Sequence, residues 1–270
     1  MSTTLPQNTV AHAHAEPMRR GLSGRLLYHT GMFLSRRGVR FEVRGLEHLP
    51  RQGSYILAAN HETYVDGMWI MSCLPKPLFK RFCCIGAEDL LTRHGPFGRV
   101  IMRVGRGIPI KRRGNPIRAL QSALEALRKD ENILLIHPEG TRSRNGRLGR
   151  IQDGACFLAR KAGVPIIPVF LDGAYEIFNR YYRLPSFRDK EGHKHRLIIS
   201  FGKALQPEHF SSTKEMTAAL RQWMETRFAH KEVPRDYSSL PVGHTKNMQS
   251  DKQEDAESTL PGEAGEECKK

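Results

Sequence analysis

The stretch Tyr55-Ile56-Leu57-Ala58-Ala59-Asn60-His61-Glu62-Thr63-Tyr64-Val65-Asp66 decides the fold. Its first five residues are an apolar run bounded by polar ones, the pattern of a buried strand. The chain is expected to leave that strand at Asn60 and to enter a helix near Thr63. His61 then stands at a strand's C-terminal end, where open α/β sheets receive their ligands. Asp66, about a turn and a half further on, can turn back to the imidazole. A carboxylate on one ring nitrogen fixes the tautomer and leaves the other nitrogen to accept a proton. Taken alone, His-x4-Asp is a loose pattern, and a neutral histidine capping a helix beside an exposed aspartate accounts for it more simply.

A second stretch shifts the balance toward chemistry. Ile133-Leu134-Leu135-Ile136 is another apolar strand candidate, and it runs into His137-Pro138-Glu139-Gly140-Thr141-Arg142-Ser143. Gly140 permits close backbone approach. Arg142 offers a planar fork suited to phosphate. One strand end therefore carries a base and the other an anion site.

In these blocks the chain resembles the PlsC-type 1-acyl-sn-glycerol-3-phosphate acyltransferases, the lysophospholipid acyltransferase family. Four family blocks occur in order: Asn60-His61-x4-Asp66, Gly105 to Arg112, Pro138 to Ser143, and Val164-Pro165-Ile166-Ile167-Pro168-Val169. The resemblance spans roughly residues 40 to 205. It implies a single glycerol-3-phosphate-acyltransferase-like domain, a mixed central sheet flanked by helices. It also implies acyl transfer from acyl-CoA or acyl carrier protein to the hydroxyl of 1-acyl-glycerol-3-phosphate, giving phosphatidic acid. His61 would be the base and Asp66 its orienting partner. Arg112 and Arg142 would bind the acceptor phosphate, in a pocket shaped by Glu139, Gly140 and Thr141. No metal or other cofactor is required beyond the thioester co-substrate. Three positions depart from the family pattern: His137 where Phe is common, Lys111 before Arg112, and Glu88 where a Lys is common. They bear on the acceptor head group, and another lysolipid acceptor stays open as an alternative.

Composition bounds the partners. The 270 residues carry a formal net charge of +15. The last twenty hold seven acidic and three basic side chains, so residues 1–250 carry net +19. Such a body seeks an anionic surface, a phospholipid membrane or a nucleic acid. No nucleic-acid-binding motif is present, so the membrane is the expected partner. A non-enzymatic basic membrane-binding protein explains the charge but not the two strand-end motifs. A hydrolase or transacylase would use the same base, yet no Gly-x-Ser-x-Gly elbow is present. Five scattered cysteines show neither zinc spacing nor a disulfide framework.

No run of eighteen apolar residues occurs, so attachment is expected to be peripheral, on the cytoplasmic side of the membrane. Residues 18–38 interleave Leu22, Leu26, Leu27, Met32, Phe33 and Leu34 with five arginines. That suits a helix lying on anionic lipid, although a helix packed on the domain fits equally, and Gly21, Gly24 and Gly31 weaken either. The domain proper is expected over residues 39–232, with disordered segments at 1–17 and 233–270. Further strands are expected at Phe41–Arg44, Arg81–Ile85, Ile108–Ile110, Ile166–Leu171 and Leu197–Phe201. Helices are expected at Asp66–Cys73, Glu88–Val104 (in two pieces), Asn115–Lys129, Gly154–Lys161 and Thr213–His230. Strands alternating with helices indicate an α/β fold.

Overall fold

The computed structural model describes residues 16–87, 95–110, 116–129 and 131–234. Its strands are β1 (Arg40–Arg44), β2 (Tyr55–Ala59), β3 (Phe82–Ala87), β4 (Gly107–Ile110), β5 (Ile133–Ile136), β6 (Ile166–Asp172) and β7 (Arg196–Phe201). They form a seven-stranded sheet in the order β1-β7-β6-β2-β5-β3-β4. Every neighbouring pair is parallel except β6 with β7, so the sheet is mixed. The helices are α1 (Gly21–Gly38), α2 (Asp66–Cys73), α3 (Lys76–Arg81), α4 (Gly95–Val104), α5 (Pro116–Lys129), α6 (Gly154–Ala162), α7 (Ala174–Phe178) and α8 (Thr213–Ala229).

β2, β5 and β6 are buried along their whole lengths. Strands covered on both faces read as continuous apolar runs, which is why Tyr55–Ala59 shows no alternation. The pleat still sorts its side chains. Tyr55, Leu57 and Ala59 join Tyr28 and Met32 of α1 and Trp69 of α2 in one core. Ile56 and Ala58 join Leu127 of α5, Leu158 of α6 and Leu220 of α8 in the other. The layers are therefore helix, sheet, helix, as the α/β reading requires.

β2 lies between β5 and β6, so the residues after it emerge among the loops that follow those strands. Asn60 fastens this point. Its buried side chain donates to the Leu171 carbonyl at 3.0 Å and accepts from the Leu171 N–H at 2.8 Å. The amide thus extends the β2–β6 ladder by one side-chain rung.

The expected strands all form, with ends shifted by one or two residues; Arg81–Ile85, for instance, is realised as Phe82–Ala87. The helix expected at Asp66–Cys73 forms with those bounds; entry near Thr63 does not occur, because the amides of Glu62 and Thr63 bond to the Asp66 carboxylate instead of opening a helical ladder. The short helices α3 and α7 were not expected. The first helical piece at Glu88, the first fifteen residues and the tail from Arg235 lie outside the described residues.

In residues 18–38 the reading of a helix packed on the domain holds for one face. Residues Gly21–Gly38 are helical, and Gly24, Tyr28, Met32 and Ser35 are buried against the domain. The Trp69 indole N–H donates to Ser35 Oγ at 2.9 Å. The other face stays bare: Leu22, Leu26, Leu27, Phe33 and Leu34 are 83%, 71%, 47%, 64% and 57% exposed. Tertiary packing thus outweighs the glycines' weak propensity. No described helix is long and apolar enough to cross a membrane.

Replacing Asn60 removes both hydrogen bonds of that rung and leaves the Leu171 peptide groups buried without partners. Asn60→Ala is expected to cost about 2–3 kcal/mol, the usual penalty of orphaned buried polar groups. Urea titration followed by circular dichroism measures it; an unchanged midpoint contradicts the bridge.

Candidate active site

Two loops build the site: residues 60–65, between β2 and α2, and the segment after β5. Asp66 opens α2 and is 1% exposed. Its Oδ2 accepts from His61 Nδ1 at 2.9 Å, from the Glu62 N–H at 2.8 Å and from the Thr63 N–H at 2.9 Å. Its Oδ1 accepts from the Thr63 hydroxyl at 2.7 Å. Burial alone raises the Asp66 carboxyl. The His61 bond and charge, with His137 and the Thr63 amide, outweigh it and hold the group below its ordinary value. An ionised Asp66 accepts only, so His61 Nδ1 carries a proton and Nε2 presents a lone pair.

The segment after β5 clamps the His61 backbone from both sides. The His61 N–H donates to Glu139 Oε1 at 2.7 Å. The His61 carbonyl accepts from the Ser143 N–H at 2.7 Å. The second Glu139 oxygen accepts from the Gly149 N–H at 2.7 Å. Burial drives the Glu139 carboxyl up to about 7, against the pull of the two amides. Gly140 makes the turn between the clamp's arms. Its N–H donates to the His137 carbonyl at 3.0 Å, and its φ of 70° lies in the left-handed region. A Cβ there would meet Gln152 Nε2 at 3.2 Å.

His137 lies flat against His61. Its ring stacks on His61 with centroids 3.9 Å apart and planes 10° from parallel. His137 Nδ1 lies 3.0 Å from the Ala59 carbonyl and 3.1 Å from the Asn60 carbonyl, so it bears the proton that both accept. Burial, with the neighbouring His61, lowers the His137 pKa to about 3. His137 is thus a neutral plate behind His61.

The sequence-derived site residues fall in different places. His61 and Asp66 meet as expected. Glu139 is 6% exposed, with its carboxylate engaged by backbone amides. Gly140 and Thr141 are exposed on the turn. The Arg142 guanidinium stacks over Tyr64, its Cζ 3.4 Å from the ring centroid, which brings a cation onto the loop carrying His61. Arg112, Lys111 and Glu88 lie outside the described residues. Three contributors had no assigned role in the sequence reading. Thr63 fills Asp66, Tyr64 seats Arg142, and buried Glu62 accepts from the Tyr175 N–H at 2.8 Å. The nearness of Thr63 to Asp66 was the available signal, since a hydroxyl three residues from a carboxylate can bond it locally.

The ligand atoms of His61, Asp66 and His137 lie within 4.8 Å of one another. They suit a cation poorly, because Asp66 already accepts four hydrogen bonds and both Nδ1 atoms are engaged.

A histidine whose folded pKa is about 3 against about 6.5 unfolded binds its proton more readily in the unfolded chain. It therefore costs the fold stability progressively as pH falls from about 6.5 toward 3. His137→Phe is expected to make urea stability less sensitive to acid across that window. Identical slopes for the two proteins contradict the neutral ring.

Comparison with known proteins accords with this geometry. The family model described as Acyltransferase matches residues 40–172, which include both loops. The chain is 31% identical over 147 residues to the 1-acyl-sn-glycerol-3-phosphate acyltransferase alpha of Mus musculus, covering 54% of this chain and 50% of that protein. It is 33% identical over 146 residues to the beta form of Homo sapiens, covering 54% and 49%. The chain thus spans about half the length of the curated relatives it matches. The fold is also that of the crystal structure of the 1-acyl-sn-glycerophosphate acyltransferase PlsC from Thermotoga maritima. The TM-score is 0.62 at 20% identity, covering 80% of this chain and 82% of the other. Residues 40–172, which carry the His61–Asp66 pair and its clamp, match the family model described as Acyltransferase.

Proposed function

We propose that this protein transfers a fatty acyl group from a thioester, acyl-CoA or acyl carrier protein, to the free hydroxyl of 1-acyl-glycerol-3-phosphate, yielding phosphatidic acid. The observation that carries the reading is the buried Asp66 holding His61 through Nδ1 at 2.9 Å, with Nε2 left as a base. His61 Nε2 takes the hydroxyl proton as the oxygen attacks the thioester carbonyl. The new C–O bond forms and the C–S bond breaks. The imidazolium then returns its proton to the departing thiolate. The acceptor is itself the nucleophile, so no serine or cysteine is acylated and no metal takes part. Asp66 stabilises the transient imidazolium by charge. Arg142, with Arg112, receives the acceptor phosphate as a charge-assisted partner. Glu139, Gly140 and Thr141 set the loop that positions Arg142 and His61. The names of the relatives support lysophosphatidic acid as acceptor.

Attachment to the membrane is peripheral and electrostatic in this reading, on the cytoplasmic side. Net +19 over residues 1–250 attracts an anionic surface. The bare Leu22, Leu26, Leu27, Phe33 and Leu34 face of α1 then enters the interface.

Base catalysis of this kind is worth about 100-fold or more, so His61→Ala should lose at least that in turnover while remaining folded. Asp66→Asn should also damage turnover, since an amide admits the wrong tautomer. Arg142→Ala should weaken use of lysophosphatidic acid about ten-fold or more with thioester use unchanged. Product analysis by mass spectrometry, with mixed lysolipids and acyl-CoA, tests all three; near-normal turnover in His61→Ala contradicts the mechanism.

Exposed charges are screened by salt. Binding to anionic vesicles should therefore fall steeply in high salt or carbonate, and neutral vesicles should bind poorly. Leu26→Glu combined with Phe33→Glu should weaken sedimentation with anionic vesicles. Unchanged sedimentation of that variant contradicts insertion of α1.

A further inference from the structure

A cavity of about 910 Å³ lies beneath α1. Its floor is apolar, with Tyr28, Met32, Phe33, Met71, Leu74 and Phe79. Seven of its sixteen lining residues are Arg or Lys, and none of the sixteen is Asp or Glu. Its place in the fold separates it from the catalytic loops. His61 follows the C-terminal end of β2. Phe79, Lys80 and Arg106 come just before β3 and β4, which run parallel to β2 through β5, so the cavity opens at the opposite end of the sheet. α2 connects the two places: Asp66 opens it and Ser72 near its far end lines the cavity, roughly 9 Å further along the helix axis.

Arg20 is the informative residue. It is only 8% exposed. Its guanidinium donates to the Val104 carbonyl at 2.7 Å and contacts Met71 Sδ at 3.1 Å. Its Cζ lies 4.2 Å from the centroid of the Phe79 ring. Carbonyls and a ring face hold the cation without neutralising it. Desolvation, with repulsion from Arg106, pulls its pKa down to about 10. A buried cation facing a cavity rimmed by further cations is costly unless an anion enters. The apolar floor requires that the anion bring hydrocarbon with it.

We propose that this cavity binds an anionic phospholipid, its phosphate among the Arg20, Lys76, Lys80 and Arg106 cations and its first chain carbons on the Met32–Phe79 floor, as a site separate from the catalytic centre. A lipid fits better than a soluble anion because Phe33 belongs both to the cavity wall and to the bare apolar face of α1. A lipid can therefore pass from a bilayer to the cavity without leaving apolar surroundings. The assignment rests on the membrane reading above only for the route of arrival. The test accordingly uses a soluble lipid, and its outcome is independent of turnover.

The full chain is incubated with a photoreactive dihexanoyl phosphatidic acid, below its micelle concentration, and labelled peptides are mapped by mass spectrometry. Label is expected on the α1 and α3 segments that carry Phe33 and Phe79. It should be competed by unlabelled dihexanoyl phosphatidic acid and not by the phosphatidylcholine analogue. Lys76 and Lys80 are exposed, so Lys76→Glu combined with Lys80→Glu leaves the core intact. That pair should reduce the label about ten-fold, the effect of losing charge-assisted contacts. Lys76→Gln with Lys80→Gln should give a smaller loss, and circular dichroism checks that both variants fold. Label confined to peptides near His61 overturns the proposal, as does cavity label indifferent to charge reversal. Stronger displacement by palmitoyl-CoA than by phosphatidic acid assigns the cavity to the thioester and overturns the lipid assignment. Activity on micellar lysophosphatidic acid, measured in parallel, reports on the catalytic reading alone.

Discussion

The Asp66 carboxylate is the constraint on which the site depends. It is buried at the head of α2 and accepts four hydrogen bonds, all from the turn formed by His61, Glu62 and Thr63. An ionised carboxylate in so dry a place survives only when its oxygens are fully engaged. The same bonds that keep it charged also bend residues 60–65 away from a helix and aim the imidazole. Charge, turn geometry and tautomer thus follow from one group.

The second strand end supplies rigidity. Glu139 holds the His61 amide with one oxygen and Gly149 with the other, and Ser143 holds the His61 carbonyl. A base must keep its geometry through the reaction, and a peptide clamped on both sides loses little order when substrate arrives. The ring of His137 adds a flat wall at 3.9 Å. The ring's Nδ1–H also ties the end of β5 to the Ala59 and Asn60 carbonyls. A phenyl ring in its place would keep the wall and lose that tie.

Much of this was legible in the sequence. The central strands were plain because burial on both faces demands uninterrupted apolar runs, as in Tyr55–Ala59 and Ile133–Ile136. The His61–Asp66 pair was legible from spacing once a strand was placed before it. Short elements were not: α3 has six residues and α7 five, too few for a helical period to show. The part of Glu139 was illegible for another reason. A carboxylate in a Gly-containing turn reads as a pocket wall, whereas here it faces inward because the chain from Gly140 to Gly149 folds back over it. Residues 18–38 show both of the faces that composition left undecided, since a helix has two sides and only packing reveals which one is covered. The mode of Arg142 depended on Tyr64, a neighbour in space and not in sequence.

The central claim is the protonation state that Asp66 imposes on His61. Nitrogen-15 chemical shifts of the His61 ring, in protein labelled at histidine and assigned with His61→Ala, measure it directly. Without ligand, the account predicts that the neutral form of the ring carries its proton on Nδ1 with a bare Nε2, changing to the opposite tautomer or a mixture in Asp66→Asn. A proton on Nε2 in the unaltered protein, or a tautomer indifferent to Asp66→Asn, would contradict it.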